Sequence, residues 1–110
     1  MENDIHQHMH ELQALEQQIQ QVLATKQQLQ MDHAEVSNAL QEITKADDEV
    51  FKVLGGIMMK VTKVNAVKEL TEKEKILAGK IASVEKQEKQ LAVNEKEIKK
   101  HMQSHVEPKK

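Results

Sequence analysis

Residues 50–61 read VFKVLGGIMMKV, and the fold turns on how this stretch is interpreted. Residues 50–54 and 57–61 are rich in β-favouring side chains. Between them stand Gly55 and Gly56, a two-residue connection in which positive φ costs glycine nothing, so the spacing predicts a tight β-hairpin. Pairing Leu54 with Ile57 places Val50, Lys52, Leu54, Ile57, Met59 and Val61 on one face, and Phe51, Val53, Met58 and Lys60 on the other. Both faces are mainly apolar. A lone two-stranded hairpin is marginal in water, and one with two apolar faces and two open edges invites further strands. The stretch therefore reads as an assembly module in which hairpins from several chains complete one sheet or barrel. Val50, Phe51, Val53, Leu54, Ile57, Met58, Met59 and Val61 are its candidate assembly residues. The plainer reading is a hairpin that caps its own helices.

Outward from the hairpin, both flanks repeat every seven residues. On the N-terminal side Ile5, Leu12, Ile19, Lys26, His33 and Leu40 form one column, and His8, Leu15, Val22, Leu29, Val36 and Ile43 form a second three positions later. On the C-terminal side the columns are Val67, Glu74, Ile81, Glu88, Glu95 and Met102, with Leu70, Leu77, Val84, Leu91, Ile98 and His105. Heptads sustained this long predict coiled-coil helices. If the chain folds back at the two glycines, Leu12 meets Ile98, Ile19 meets Leu91, His8 meets Met102, Lys26 meets Val84 and Val22 meets Glu88; a shift of one heptad fits nearly as well. The fold class expected is mainly α: a long antiparallel two-helix coiled coil with a central β-hairpin. Residues 1–110 are expected to form a single domain, with helices over 5–45 and 66–106 and the hairpin over 50–62. Asp47, Asp48 and Glu49 oppose a helix macrodipole at its C-terminus and end the first helix near Lys45. Asn65, or Thr71 with Glu74 as a capping box, starts the second. Gly79 is a candidate bend, and Pro108 begins a frayed tail.

Composition and charge agree with this architecture. Of 110 residues 38% are hydrophobic and one, Phe51, is aromatic, too little for a compact globular core, while 31% are charged and only three glycines and one proline interrupt the chain. The net charge of −2 is unevenly spread. Residues 1–49 carry ten acidic side chains against two lysines; residues 50–110 carry eight against fourteen. Opposite charge on the two halves favours their pairing with each other over self-pairing. No apolar run is long enough to span a bilayer, no secretory leader is expected, and cysteine is absent. The expected location is cytoplasmic.

Motifs for chemistry are missing where they would have to be. GGIMMKVT has no glycine before its lysine, and that lysine falls in a strand and not at the opening of a helix, so no nucleotide cradle forms. His10 and Glu11 are followed by Ala14 where a zinc protease needs its second histidine. With no arginine and a single aromatic ring, nucleic-acid recognition is disfavoured. No enzyme activity, cofactor or metal is expected. His6 and His10, and likewise His101 and His105, are spaced i, i+4, and the fold-back brings both pairs and His8 to one end, a geometry able to hold a transition metal. Histidines that keep an exposed end soluble are the simpler account.

The run DDEVFKVLGGIMMKV between two heptad helices, together with VEKQEKQLAVNEKEI in the second helix, resembles the prefoldins, and specifically their beta class, which has one central hairpin. The resemblance extends from about Ile5 to about His105; the absence of arginine and the second glycine of the turn depart from it. It implies a hetero-hexamer of two alpha-class and four beta-class subunits, with hairpins joined in a double β-barrel platform and coiled coils hanging from it. It also implies a chaperone that holds unfolded client proteins at the coiled-coil ends without ATP and passes them to a group II chaperonin. On this chain the client-binding candidates are Ile5, Met9, Leu12, Ile98, Met102 and Val106, whose flexible apolar groups suit varied partners. The competing reading is a structural coiled-coil tether or scaffold.

Overall fold

A computed structural model describes the backbone of residues 2–47 and 49–106, and the side chains of 5–47 and 49–103. The element order is α1 (Glu2–Lys45), β1 (Glu49–Leu54), β2 (Ile57–Thr62) and α2 (Lys63–Val106). Both helices run 44 residues. Neither contains proline, and Gln, Glu, Lys, Ala and Leu dominate both, which are strong helix formers. Gly79 interrupts nothing: helix continues on both sides of it. Pro108 lies outside the described residues.

The chain divides into two compact units. Unit 1 comprises Met1–Gln27 and Ala82–Lys110, that is, the start of α1 and the end of α2. Its seam residues Ile5, His8, Leu12, Leu15, Ile19 and Val22 on α1 are half-buried or buried, as are Val84, Glu88, Leu91, Glu95, Ile98 and Met102 on α2. Among the described residues the buried apolar side chains are Leu15 and Leu91, and both belong to this unit. A two-helix seam covers each side chain from one side, so its core is a line and not a volume. Lys26, a polar member of the seam, donates from Nζ to Glu88 Oε1 at 2.9 Å. The heptad fold-back sets Lys26 beside Val84; the long lysine stem carries its ammonium one turn further, to the carboxylate. That hydrogen bond holds the Lys26 ammonium above the ordinary lysine range, so the pair persists through neutral pH and is lost only on strong alkalinisation.

Unit 2 spans Gln28–Ile81 and holds the end of α1, the hairpin and the start of α2. Leu29, His33, Val36, Leu40 and Ile43 on α1 and Val67, Leu70, Glu74, Leu77 and Ile81 on α2 are half-buried. Glu74, the carboxylate in this seam, accepts a 2.6 Å hydrogen bond from Ser37 Oγ, which offsets the cost of its partial desolvation. The end of α1 is satisfied from across the hairpin: Lys63 Nζ donates to the carbonyls of Thr44 at 3.3 Å and Ala46 at 3.1 Å, placing a cation where the helix dipole favours one. The second helix starts earlier than the sequence suggests. Thr62 is its N-cap, its Oγ1 accepting the Asn65 N–H at 3.2 Å, so Asn65 occupies the third helical position and neither it nor Thr71 caps. A strand-forming threonine serves both elements, closing β2 with its backbone and opening α2 with its hydroxyl.

The hairpin has the register read from the sequence. β1 and β2 are antiparallel with Leu54 opposite Ile57, Val53 opposite Met58, Phe51 opposite Lys60 and Val50 opposite Val61. Gly55 and Gly56 have φ of 56° and 83°. A two-residue hairpin with both central residues at positive φ matches strand twist, and a side chain at either position would be strained.

Candidate functional site

The two faces of the hairpin differ in what they meet. Val50, Lys52 and Val61 are half-buried, and Lys52 Nζ reaches Glu69 Oε1 on α2 at 2.5 Å, tying β1 to the helix. This bond holds the Glu69 carboxyl below its ordinary value of 4.5. A depressed carboxyl pKa contributes stability that is present above the unfolded value and disappears as pH falls through the folded one. Glu69→Gln should accordingly be less stable than the parent at pH 7, with the difference shrinking as pH falls below 4.5; urea unfolding of both chains over a pH series checks this.

The opposite face is open. Phe51, Val53 and Met58 are 54%, 65% and 67% exposed. Lys60 Nζ and Glu49 Oε1, 2.8 Å apart, form an ion pair on this face near the helices, so polar groups border an apolar centre. Beyond the helices Leu54, Ile57 and Met59, which share the first face, are exposed too. Among the described residues the sheet has two strands, which leaves both outer edges with unpaired backbone groups. Large apolar side chains gathered at one turn and two bare edges make a surface that can add strands. Val64, in the first turn of α2, is 76% exposed; the sequence reading passed over it because it belongs to no heptad column, although an apolar residue directly after a strand pair is the signal that could have flagged it.

The client-binding candidates described by the structure all fall in unit 1. Met9 is exposed, while Ile5, Leu12, Ile98 and Met102 are half-buried. Leu12 and Met102 line an open groove of about 330 Å³ with Lys99 and Gln103. Ile98 lies with Leu15 in a second groove of about 420 Å³, bordered by Glu11, Gln18, Asn94 and Glu97. Val106 lies outside the described side chains. Leu23 is an exposed apolar residue of this unit that the columns did not single out. Of the histidines, His8 and His101 stack across the two helices, with ring centroids 5.8 Å apart and planes 9° from parallel. The fold-back pairs His8 with Met102; its ring meets the neighbouring position instead. His6 and His10 are exposed on α1, and the side chain of His105 lies outside the described residues. Among the described residues no three His, Cys, Asp or Glu converge as a ready-made metal cluster, and no helix is long and apolar enough to cross a membrane.

Two long helices joined through an uncovered apolar hairpin define a coiled-coil subunit fold. The chain belongs to the prefoldin family, in its beta class: the family model described as "Prefoldin subunit" matches residues 6–108. It is 37% identical to the prefoldin subunit beta of Thermococcus kodakarensis, over 89% of this chain and 86% of that one. The prefoldin subunit beta of Archaeoglobus fulgidus is 34% identical over the same shares of the two chains. Among solved structures, the crystal structure of the prefoldin beta subunit from Thermococcus strain KS-1 superposes with a TM-score of 0.89 at 34% identity, covering 96% of this chain and 94% of that one. Membership of this family makes the chain a chaperone subunit.

Proposed function

We propose that this chain is the beta subunit of an ATP-independent holdase, a hetero-hexamer with alpha-class prefoldin subunits. It builds the assembly through its hairpin and holds non-native proteins at the free end of unit 1 before their transfer to a group II chaperonin. The observation that carries this reading is the open hairpin face, where Phe51, Val53 and Met58 expose apolar area beside two unpaired strand edges. Covering that surface with neighbouring strands removes it from water, worth about 25 cal/mol per Å². The assembly surface comprises Val50, Phe51, Val53, Leu54, Ile57, Met58, Met59 and Val61, and Val64 extends it. Clients meet Ile5, Met9, Leu12, Ile98, Met102 and Val106. Methionine and aliphatic groups in shallow grooves adapt to many unfolded segments without selecting one shape. A chain without cysteine suits the reducing cytoplasm, where we place it.

The test is suppression of aggregation. Chemically denatured proteins of unrelated sequence are diluted into buffer with the assembly of this chain and an alpha-class subunit, without nucleotide, and light scattering is followed. A holdase lowers scattering for all of them. A tether that joins two specific proteins lowers it for none, and that result would replace the chaperone mechanism with the scaffold.

A further inference from the structure

We propose that the outer face of α2 in unit 1 is a binding strip for acidic segments of unfolded clients, an inference that rests on the holdase reading above. Along this part of α2 the seam positions are Val84, Glu88, Leu91, Glu95, Ile98 and Met102. On the side turned away from them, Lys86, Lys89, Val93, Lys96 and Lys100 follow one another at intervals of three and four residues, the spacing that keeps side chains on one helix face. All five are exposed. Four ammonium groups thus form a line with one apolar side chain at its centre, Val93 at 52% exposure.

The chain itself supplies no countercharge for this line. Among the described residues none of the four lysines forms an ion pair: Glu95 takes Lys99 at 3.9 Å, and Glu88 takes Lys26 of α1. The exposed carboxylates of the stretch are engaged elsewhere, Glu85 acting on the Lys26 ammonium and Glu97 bordering the groove that holds Ile98. Lys96 and Lys100, four residues apart, repel each other at a small cost to the helix. Solubility does not require that cost. On α1 in the same unit the corresponding positions are Gln13, Gln17, Gln20, Ala24 and Gln27, all exposed and uncharged.

The place of the strip decides which acidic partner it fits. Lys96 stands three residues before Lys99, and Lys99 lines the open groove of about 330 Å³ with Leu12, Met102 and Gln103, so the strip runs into a groove assigned above to clients. An extended polypeptide can lay apolar side chains in the groove and on Val93, and its Asp and Glu side chains on the lysines. Lysine, a point charge on a flexible stem, meets carboxylates at varied positions without demanding one geometry. A nucleic acid would gain nothing from Val93 and finds neither arginine nor an aromatic ring on this face. Nor does the glutamine face of α1 offer a second copy an acidic row to match. The grooves hold apolar groups, and the strip selects by charge among the chains that carry them.

The test uses the assembly of the full chain with an alpha-class subunit, and three labelled, unstructured peptides of about 20 residues. They share the same apolar residues and carry Glu, Gln or Lys at the other positions. Fluorescence anisotropy at low salt should show the Glu peptide bound about tenfold more tightly than the Gln peptide, and the Lys peptide most weakly. Salt at about 0.5 M should erase the difference, a reading that needs no substitution. Replacing all four lysines (Lys86→Gln, Lys89→Gln, Lys96→Gln and Lys100→Gln) should remove the preference for the Glu peptide and leave affinity for the Gln peptide unchanged. Glutamine is a good helix former, so helicity should persist. Lys68→Gln with Lys75→Gln, at exposed lysines of unit 2, should alter neither affinity. Equal binding of the Glu and Gln peptides overturns the strip and leaves the holdase reading standing; binding of no peptide overturns both. The strip is also overturned if the fourfold variant keeps the Glu preference, or if a single-stranded oligonucleotide of equal charge binds more tightly than the Glu peptide. A changed native mass in the fourfold variant overturns it too, since the lysines would then be a contact between subunits.

Discussion

Val53→Asp combined with Met58→Asp is expected to abolish association with alpha-class subunits while leaving the helicity of the chain unchanged. The two side chains are directly paired across the hairpin and 65% and 67% exposed. In the isolated chain both carboxylates stay in water, and neither seam is touched. The two like charges already face one another across the strand pair, which costs little while water screens them. The large cost arises when a neighbouring strand or sheet covers this face, because leaving a buried charge unpaired is destabilising by about 3–5 kcal/mol. Even one such penalty of about 3 kcal/mol weakens association by more than about a hundredfold, and two would remove it at any practical concentration. Native mass of the equimolar mixture, by light scattering after size exclusion, reads the outcome. Val53→Ile with Met58→Leu, which keeps the face apolar, should assemble normally. An unchanged mass for the aspartate variant would mean that the hairpin is a cap for its own helices and that assembly uses another surface.

The hairpin was legible because two independent signals coincide there. Two glycines allow only a few turn geometries, and the β-favouring runs beside them have equal length, so the Leu54–Ile57 register leaves little freedom. The heptad columns were legible for a similar reason: a period of seven repeated along both flanks has one burial pattern, and every column member with a described side chain is buried or half-buried. What escaped depended on the reach of side chains. Columns give the position of Lys26 beside Val84, but a flexible four-carbon stem chooses its partner by charge and lands on Glu88. His8 meets His101 and not Met102 because a flat ring at the edge of a seam stacks on the nearest ring. Thr62 was hidden by its own propensity: a β-branched residue ending a strand carries no mark that its hydroxyl also caps a helix. Lys63 likewise shows in the sequence only as one more lysine, since satisfying the carbonyls of Thr44 and Ala46 requires the hairpin to return it to the end of α1.

Removing residues 1–10 and 101–110 is expected to leave assembly intact and to impair client protection severely. The deletion takes Ile5, Met9, Met102 and Val106, and leaves Leu12 and Ile98 at a fraying end. It keeps the buried pair Leu15 and Leu91, the Lys26–Glu88 bridge and all of unit 2, including the hairpin and the lysine that closes α1. Association through the hairpin should therefore give the native mass expected of the shortened subunits. Each apolar side chain that an unfolded client buries contributes about 1.5–3 kcal/mol, so losing even two from every beta subunit costs more than tenfold in affinity for each contact. Light scattering of a denatured protein diluted into truncated and parent assemblies measures the difference. Because the deletion also removes helix length, Met9→Ser with Met102→Ser serves as the point-substituted counterpart; it keeps the helices whole and should reproduce part of the loss. Equal protection by parent, truncated and substituted assemblies would move the client surface away from the free ends. The exposed off-seam residues nearer the hairpin, such as Met31 and Ile76, would then be the next apolar groups positioned to hold an unfolded chain.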